Sequence, residues 1–409
     1  MIIPPGGTTS DFFPRPAISD AMHKSVEELP ATALKGDRGR PGEHVHIRAL
    51  DGVRGLAILL VVLGHSTVIH PSTFLARTLS SVTSIGWSGV DLFFVLSGFL
   101  ITRILLQSKG KSNYFQVFYI RRCLRIFPLY YVVVFCALFL VPTWFAVPAE
   151  AYRYQAWLWT FSSNWILAFN GAALGGLGMT WSLAIEEQFY LFWPVLVRRF
   201  DERTLIRACF FIQIIAILSR IAIVYSSESV TAAYNITFCR LDAISLGALV
   251  ALYHNRQERK VKWNKLVKCM LPACSLLLVL VIATTGNASA FTIPMQTVGF
   301  TAVAWIWAAM LSWTLQAPSS RAAVRLFESR FLVMLGTLSY GIYLLHGAVL
   351  YVAWNHLFQG TLGRGTQSDL IGQVLFFAIV LGGSIGVAYI SQRLFEGPIL
   401  GLKRRFPYR

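Results

Sequence analysis

Hydrophobic positions in this chain do not alternate with polar ones; they come in runs that are apolar on every side. The stretches 271–283 (LPACSLLLVLVIA) and 375–387 contain no charged residue. A surface helix of a soluble protein carries one apolar stripe, whereas a helix apolar all round is buried in protein or lipid. A membrane-crossing helix needs roughly 20 predominantly apolar residues. By that measure the pattern predicts ten spans, near 50–70, 86–106, 126–147, 180–197, 205–225, 236–253, 267–285, 293–314, 331–352 and 371–393. The segment 154–169 is apolar enough to be an eleventh.

Charge decides between ten and eleven. Alternate connections collect basic residues, from Lys109, Lys111 and Arg121 through the series between Arg256 and Lys268 to Arg321 and Arg325, and the end of the chain adds Lys403, Arg404, Arg405 and Arg409. The remaining connections hold Arg77, Arg153 and Arg364. Basic loops stay in the cytoplasm, so ten spans with both termini cytoplasmic are expected. Counting 154–169 as a span would break the alternation after it, so that segment is expected to be re-entrant or to lie on the outer surface. The fold class is therefore all-α polytopic membrane protein, located in the inner (plasma) membrane.

Composition agrees: 55% of the 409 residues are hydrophobic and 13% charged, against about 25% charged in soluble domains. The net charge of +17 would otherwise suggest nucleic acid, but it is spread between apolar runs, which excludes that partner and leaves the bilayer. Residues 1–45 are polar and rich in Pro and Gly, and are expected to form a disordered cytoplasmic tail with no signal peptide. The membrane domain is expected over 46–396 and a short basic tail over 397–409, with no soluble catalytic domain appended. The six cysteines form no CxxC pair and have no His at ligand spacing, so neither a metal site nor a disulfide framework is expected.

Ionisable residues inside spans cost roughly 2.5–3.5 kcal/mol each on insertion scales, so those the chain tolerates are the candidates for chemistry. In RALDGVRGLAILLVVLGHS, Arg54 and His65 are eleven positions apart. Eleven steps of about 100° end ~20° past three turns, so both lie on one helical face, ~16 Å apart along the axis. Asp51 precedes Arg54 by three and can pair with it. A neutral imidazole is the usual general base near neutral pH. In YFQVFYIRRCLRIFPLYY, Arg122 and Arg125 share a face, with Arg121 adjacent and Tyr130 following. Guanidinium forks suit phosphate oxygens, although an interfacial anchoring helix would carry the same pattern.

In TWSLAIEEQFYLFWP, Glu186 and Glu187 fall between apolar flanks, and Glu186 shares a face with Tyr190 four residues on. Arg240 and Asp242 are two apart, so each should meet a different helix. Tyr343 and His346 are three apart and share a face, with Ser339 a turn earlier; a lone membrane histidine is more often a hydrogen-bonded core residue than a catalyst. Ser97 and Gly98 read as close helix packing. A proton-coupled secondary transporter with an Arg, His and Glu relay would use the same residue types.

The runs DGVRGLAILLVVLGH, GVDLFFVLSGFLIT, RRCLRIFPLYY, WSLAIEEQFYLFWP, RLDAISLGALVA and SYGIYLLH, in this order over about 48–395, resemble the motifs of the integral-membrane acyltransferase 3 family. The resemblance implies transfer of an acyl group, usually acetyl, from cytoplasmic acyl-coenzyme A to a glycan or related acceptor such as a glycolipid. A scaffold or flippase partner of polysaccharide assembly machinery, with the polar residues serving helix association, is a separate alternative. His65 matches the family's essential histidine and Arg54 its partner arginine, with Asp51 beside it. Arg122 and Arg125 match its donor-associated arginine pair, with Arg121 and Tyr130 grouped alongside. Glu186 matches its carboxylate, with Glu187 as the alternative. Arg240, Asp242, Tyr343 and His346 are expected on the acceptor side. Some family members continue into an SGNH-type domain, and the resemblance places this chain among the stand-alone ones.

Overall fold

With no water in hydrocarbon to satisfy amides, an apolar run can cross only as a helix that bonds its own backbone. Regular structure among the described residues is entirely helical. The computed structural model describes residues 47–66, 83–170, 174–227, 229–318, 321–358 and 370–409. The polar tail expected over 1–45 lies outside them, as do Arg77 and Arg364 of the charge argument.

The long helices are α1 (Arg48–Ser66), α2 (Ser88–Ser108), α3 (Tyr114–Phe135), α4 (Thr180–Arg199), α5 (Glu202–Ser227), α6 (Thr237–His254), α7 (Gln257–Thr285), α8 (Phe300–Gln316), α9 (Arg330–Ala353) and α10 (Leu370–Ser391). Among the described residues, nine helices are long and apolar enough to cross a membrane. The one of the ten expected spans outside that set is α4, 20 residues long, whose Glu186-Glu187-Gln188 run makes it less apolar than its neighbours. The segment 154–169 forms no span. It divides among the short helices Ala149–Arg153, Gln155–Trp159 and Ser163–Asn170, the longest only ~12 Å. The third span begins earlier than the apolar run suggests. α3 starts at Tyr114, so Arg121, Arg122 and Arg125 belong to the same continuous helix as the apolar residues after them.

α1 packs along α9 and α2 along α6, and these pairs form the centre with α8. Both seams bring backbones together through glycine. A Cβ on Gly98 would collide with the Ile244 carbonyl, and one on Gly247 with the Val95 carbonyl, so α2 and α6 approach closer than any side chain would allow. Likewise Gly336 of α9 leaves room for the backbone of Asp51. α7 lies outside, with only 6% of its most apolar window buried, which suits a lipid-facing helix.

The centre also holds two buried ion pairs. Arg220 of α5 meets Asp242 of α6 at 2.9 Å, and Arg240 of α6 meets Asp91 of α2 at 2.9 Å. Thr301 of α8 joins the first pair, accepting from Arg220 and donating to Asp242, each at 2.6 Å. The Arg240 guanidinium sits 4.1 Å over the Phe300 ring and within 6 Å of the Tyr234, Trp181 and Phe94 rings, a geometry that stabilises a desolvated cation. Arg240 and Asp242 thus meet separate helices, as their spacing requires.

Candidate active site

One cavity of about 110 Å³ gathers the polar residues of several helices. Arg54 enters it from α1, Ser97 from α2, Arg122 and Arg125 from α3, Ser182, Glu186 and Tyr190 from α4, and Ser339, Tyr340 and Tyr343 from α9. Three cations, one carboxylate and several hydroxyls therefore share a space otherwise lined by Phe93, Phe94 and aliphatic side chains.

Each polar group is held by local geometry. Asp51 accepts from Arg54 at 2.9 Å, one helical turn away. On α4, Ser182, Glu186 and Tyr190 recur every four residues and form a stripe on one face. The Tyr190 hydroxyl donates to Glu186 at 3.0 Å, so the hydrogen bond between Tyr190 and Ser97 carries the Ser97 proton. The Arg122 guanidinium lies 5.4 Å above the Tyr190 ring. Tyr343 donates to the Met179 carbonyl at 2.9 Å and accepts from Ser182 at 2.5 Å. Hydroxyls from α2, α4 and α9 are thereby fixed around the arginines.

Two imidazoles stand beyond this cavity. Nδ1 of His65 lies 2.8 Å from the Val61 carbonyl. A carbonyl only accepts, so Nδ1 carries the proton and the neutral ring keeps its Nε2 lone pair. His346 repeats the arrangement, with Nδ1 2.8 Å from the Tyr343 carbonyl and 3.2 Å from that of Ile342. The two rings meet edge on, with centroids 5.1 Å apart, and His346 lies 5.9 Å from Tyr343. A continuous series thus runs from the cavity wall at Tyr343 through His346 to His65. His346 is buried, whereas His65 is exposed in the last turn of α1.

Other residues named from the sequence sit elsewhere. Tyr130 is buried with its ring 4.1 Å from that of Phe161, and its hydroxyl donates to the Leu158 carbonyl at 2.8 Å; it ties α3 to the short helices rather than lining the cavity. Arg121 turns to the end of the chain, where its Nε donates to the Phe406 carbonyl at 2.9 Å. Arg240 and Asp242 belong to the ion pairs between helices. Glu187 lies outside the cavity lining, and its buried Oε1 has no hydrogen-bond partner among the described residues. Ser182, Tyr340 and Arg220 carry polar contacts that sequence reasoning missed. The four-residue period from Glu186 back to Ser182 was a signal available for the first. Ser97, read as a packing residue, lines the cavity, while its neighbour Gly98 does the packing.

A helical membrane bundle that encloses a cationic, hydroxyl-lined cavity and carries a histidine further along the same central helix defines the class. The chain belongs to the acyltransferase 3 family, whose acyltransferase domain matches residues 47–393. Among similar proteins, YrhL of Bacillus subtilis is 29% identical over 380 residues, covering 87% of this chain and 55% of YrhL. Peptidoglycan O-acetyltransferase OatA of Listeria monocytogenes is 27% identical over 370 residues, covering 87% of this chain and 56% of that protein. O-acetyltransferase OatA of Staphylococcus aureus is 30% identical over 221 residues, covering 50% of this chain and 34% of that protein. The chain spans about half the length of YrhL and Listeria OatA. No solved structure matches it.

Proposed function

We propose that the chain is a transmembrane O-acyltransferase of the inner (plasma) membrane. It moves an acyl group, acetyl by the names of its relatives, from cytoplasmic acyl-coenzyme A to a hydroxyl of a glycan or glycolipid. The supporting observation is the convergence of Arg54, Arg122, Arg125 and Glu186 in one cavity, with Arg54 on the helix that carries His65 ~16 Å further along its axis.

In this reading the guanidinium groups hold the donor's phosphates, and the pantetheine arm runs along α1 towards His65. A donor arm is needed because Arg54 and His65 are too far apart to touch one reacting atom. Nε2 of His65 takes the acceptor's hydroxyl proton as that oxygen attacks the thioester carbonyl. The C–S bond breaks when the tetrahedral adduct collapses, and the departing thiolate recovers the proton from the imidazolium. Asp51 keeps Arg54 oriented, and the Glu186–Tyr190–Ser97 chain sets the position of Arg122. Tyr343 and His346 position His65 and the acceptor side.

The test is purified protein in lipid nanodiscs with radiolabelled acetyl-coenzyme A and a panel of glycans, peptidoglycan fragments included. Label should move to a glycan, and His65→Ala should stop it. Transfer that persists unchanged in His65→Ala would sink this chemistry, and proton-driven uptake into vesicles without acylation would favour a transporter.

A further inference from the structure

The end of the chain returns to the arginine-rich end of α3. After the turn Leu402–Arg405 the backbone leaves helical geometry and lies against the start of α3. The Pro407 carbonyl accepts from the Asn113 side chain at 2.9 Å, and the Arg409 amide donates back to the same side chain at 2.9 Å. The Ser112 amide donates to the Arg409 carbonyl at 3.0 Å. The Arg121 guanidinium lies 5.2 Å over the Tyr408 ring while its Nε bonds the Phe406 carbonyl. The segment 406–409 is therefore a strap fastened at both ends, and it fixes Arg121 through Nε and the face of its guanidinium.

The strap brings a further charge with it. Half-buried Lys403 adjoins this contact, since its carbonyl accepts from the Phe406 amide at 3.2 Å and the Phe406 carbonyl accepts from Arg121. Its charge lies within electrostatic reach of Arg125, Arg122 and Arg121. Among the described residues, none of these four cations has a carboxylate within 4.0 Å. Gathering like charges is unfavourable, the more so away from bulk water. Glu186 and Glu187 lie within electrostatic reach of Arg122, and Glu396 of Arg125. Four cations still gather where the Asn113 and Arg121 side chains and the Ser112 amide fasten the strap, an arrangement suited to an anion.

We propose that the C-terminal strap and Lys403 complete, with Arg121, Arg122 and Arg125, a receptor for a phosphate-bearing ligand. Guanidinium and ammonium groups recognise phosphate oxygens from either of two sources, the nucleotide end of coenzyme A or the headgroup of an anionic lipid. The nucleotide source rests on the donor reading above; the lipid source does not.

The experiment uses the full chain in phosphatidylcholine nanodiscs. Binding of radiolabelled coenzyme A is measured over a range of salt, and thermal midpoints are compared in phosphatidylcholine and phosphatidylglycerol. If the nucleotide is the ligand, Lys403→Gln weakens coenzyme A binding about tenfold and flattens its salt dependence. Lys403→Arg restores both, and Asn113→Ala, which releases two strap bonds, weakens binding in the same direction. If the lipid is the ligand, phosphatidylglycerol raises the midpoint of the natural chain, and Lys403→Gln abolishes that gain while coenzyme A binding stays unchanged. Lys403→Gln and Asn113→Ala leaving both coenzyme A affinity and the lipid response untouched would overturn the proposal. Loss of the lipid response in a chain that binds no coenzyme A would refute the donor reading and leave the receptor standing.

Discussion

At His65 the Val61 carbonyl, 2.8 Å from Nδ1, decides which nitrogen can accept a proton. Replacing the ring with Ala removes that acceptor, and label transfer is expected to fall by ~10²–10⁴ with helical content unchanged in circular dichroism. Tyr190 matters differently, because its hydroxyl is the middle of a chain from Ser97 to Glu186. Tyr190→Phe keeps the ring beneath Arg122 but leaves a carboxylate and a hydroxyl without their shared partner. It should lower stability by about 1–3 kcal/mol, seen as a lower thermal midpoint in detergent, and slow transfer. A midpoint equal to that of the natural chain would show that water replaces the phenol. The Glu186–Tyr190 contact was legible in the sequence because a four-residue spacing fixes neighbours within one helix. Its extension to Ser97, 93 positions away, was not, since only packing brings α2 and α4 together. The same holds for His65 and His346, each recognisable on its own helix but not as a pair.

Between helices, the decisive variable is how closely backbones approach. At Gly98 the atom that a Cβ would strike is a main-chain carbonyl of α6, which cannot rotate away as a side chain can. Gly98→Ala should therefore destabilise by about 1–3 kcal/mol despite alanine's better helix propensity. Gly382 in α10 supplies the contrast, because nothing lies within 4 Å of a Cβ built there. Gly382→Ala should be neutral or stabilising, by up to about 1 kcal/mol. Thermal midpoints of the two variants in one detergent decide the matter, and equal shifts would mean that α2 and α6 can part without loss. The apolar runs made the helices legible, but not where α3 begins, since its first turns are aromatic and basic rather than aliphatic. Reading that stretch as a connection placed the arginines before the span instead of within it, on the third and fourth turns of α3, the position from which Arg122 and Arg125 reach the cavity.

Across the molecule, polar groups separate into two systems with different demands. The cavity between α1, α2, α3, α4 and α9 holds Arg122 and Arg125, which among the described residues have no carboxylate within 4.0 Å, although Glu186 shares the cavity. The pairs Arg220–Asp242 and Arg240–Asp91, by contrast, set each cation against a carboxylate and join α2, α5, α6 and α8 around the shared ring of Phe300. A buried charge is tolerated only while its partner remains. Asp242→Ala would leave Arg220, fully buried, with only neutral acceptors, and the expected loss is about 3–5 kcal/mol. Removing both charges, as in Arg220→Met with Asp242→Leu, relieves the unpaired cation and should cost less than Asp242→Ala alone. Asp91→Ala should be milder than Asp242→Ala, because four aromatic rings still surround the Arg240 guanidinium and cation–π attraction offsets part of the loss. Thermal midpoints of the three variants, read beside coenzyme A binding, test this ranking. If the pairs serve only as scaffold, Asp242→Ala loses the most stability while the residual folded protein of each variant binds coenzyme A, the proposed donor, as the natural chain does. A double replacement worse than Asp242→Ala would show instead that the pair attracts by more than its desolvation costs.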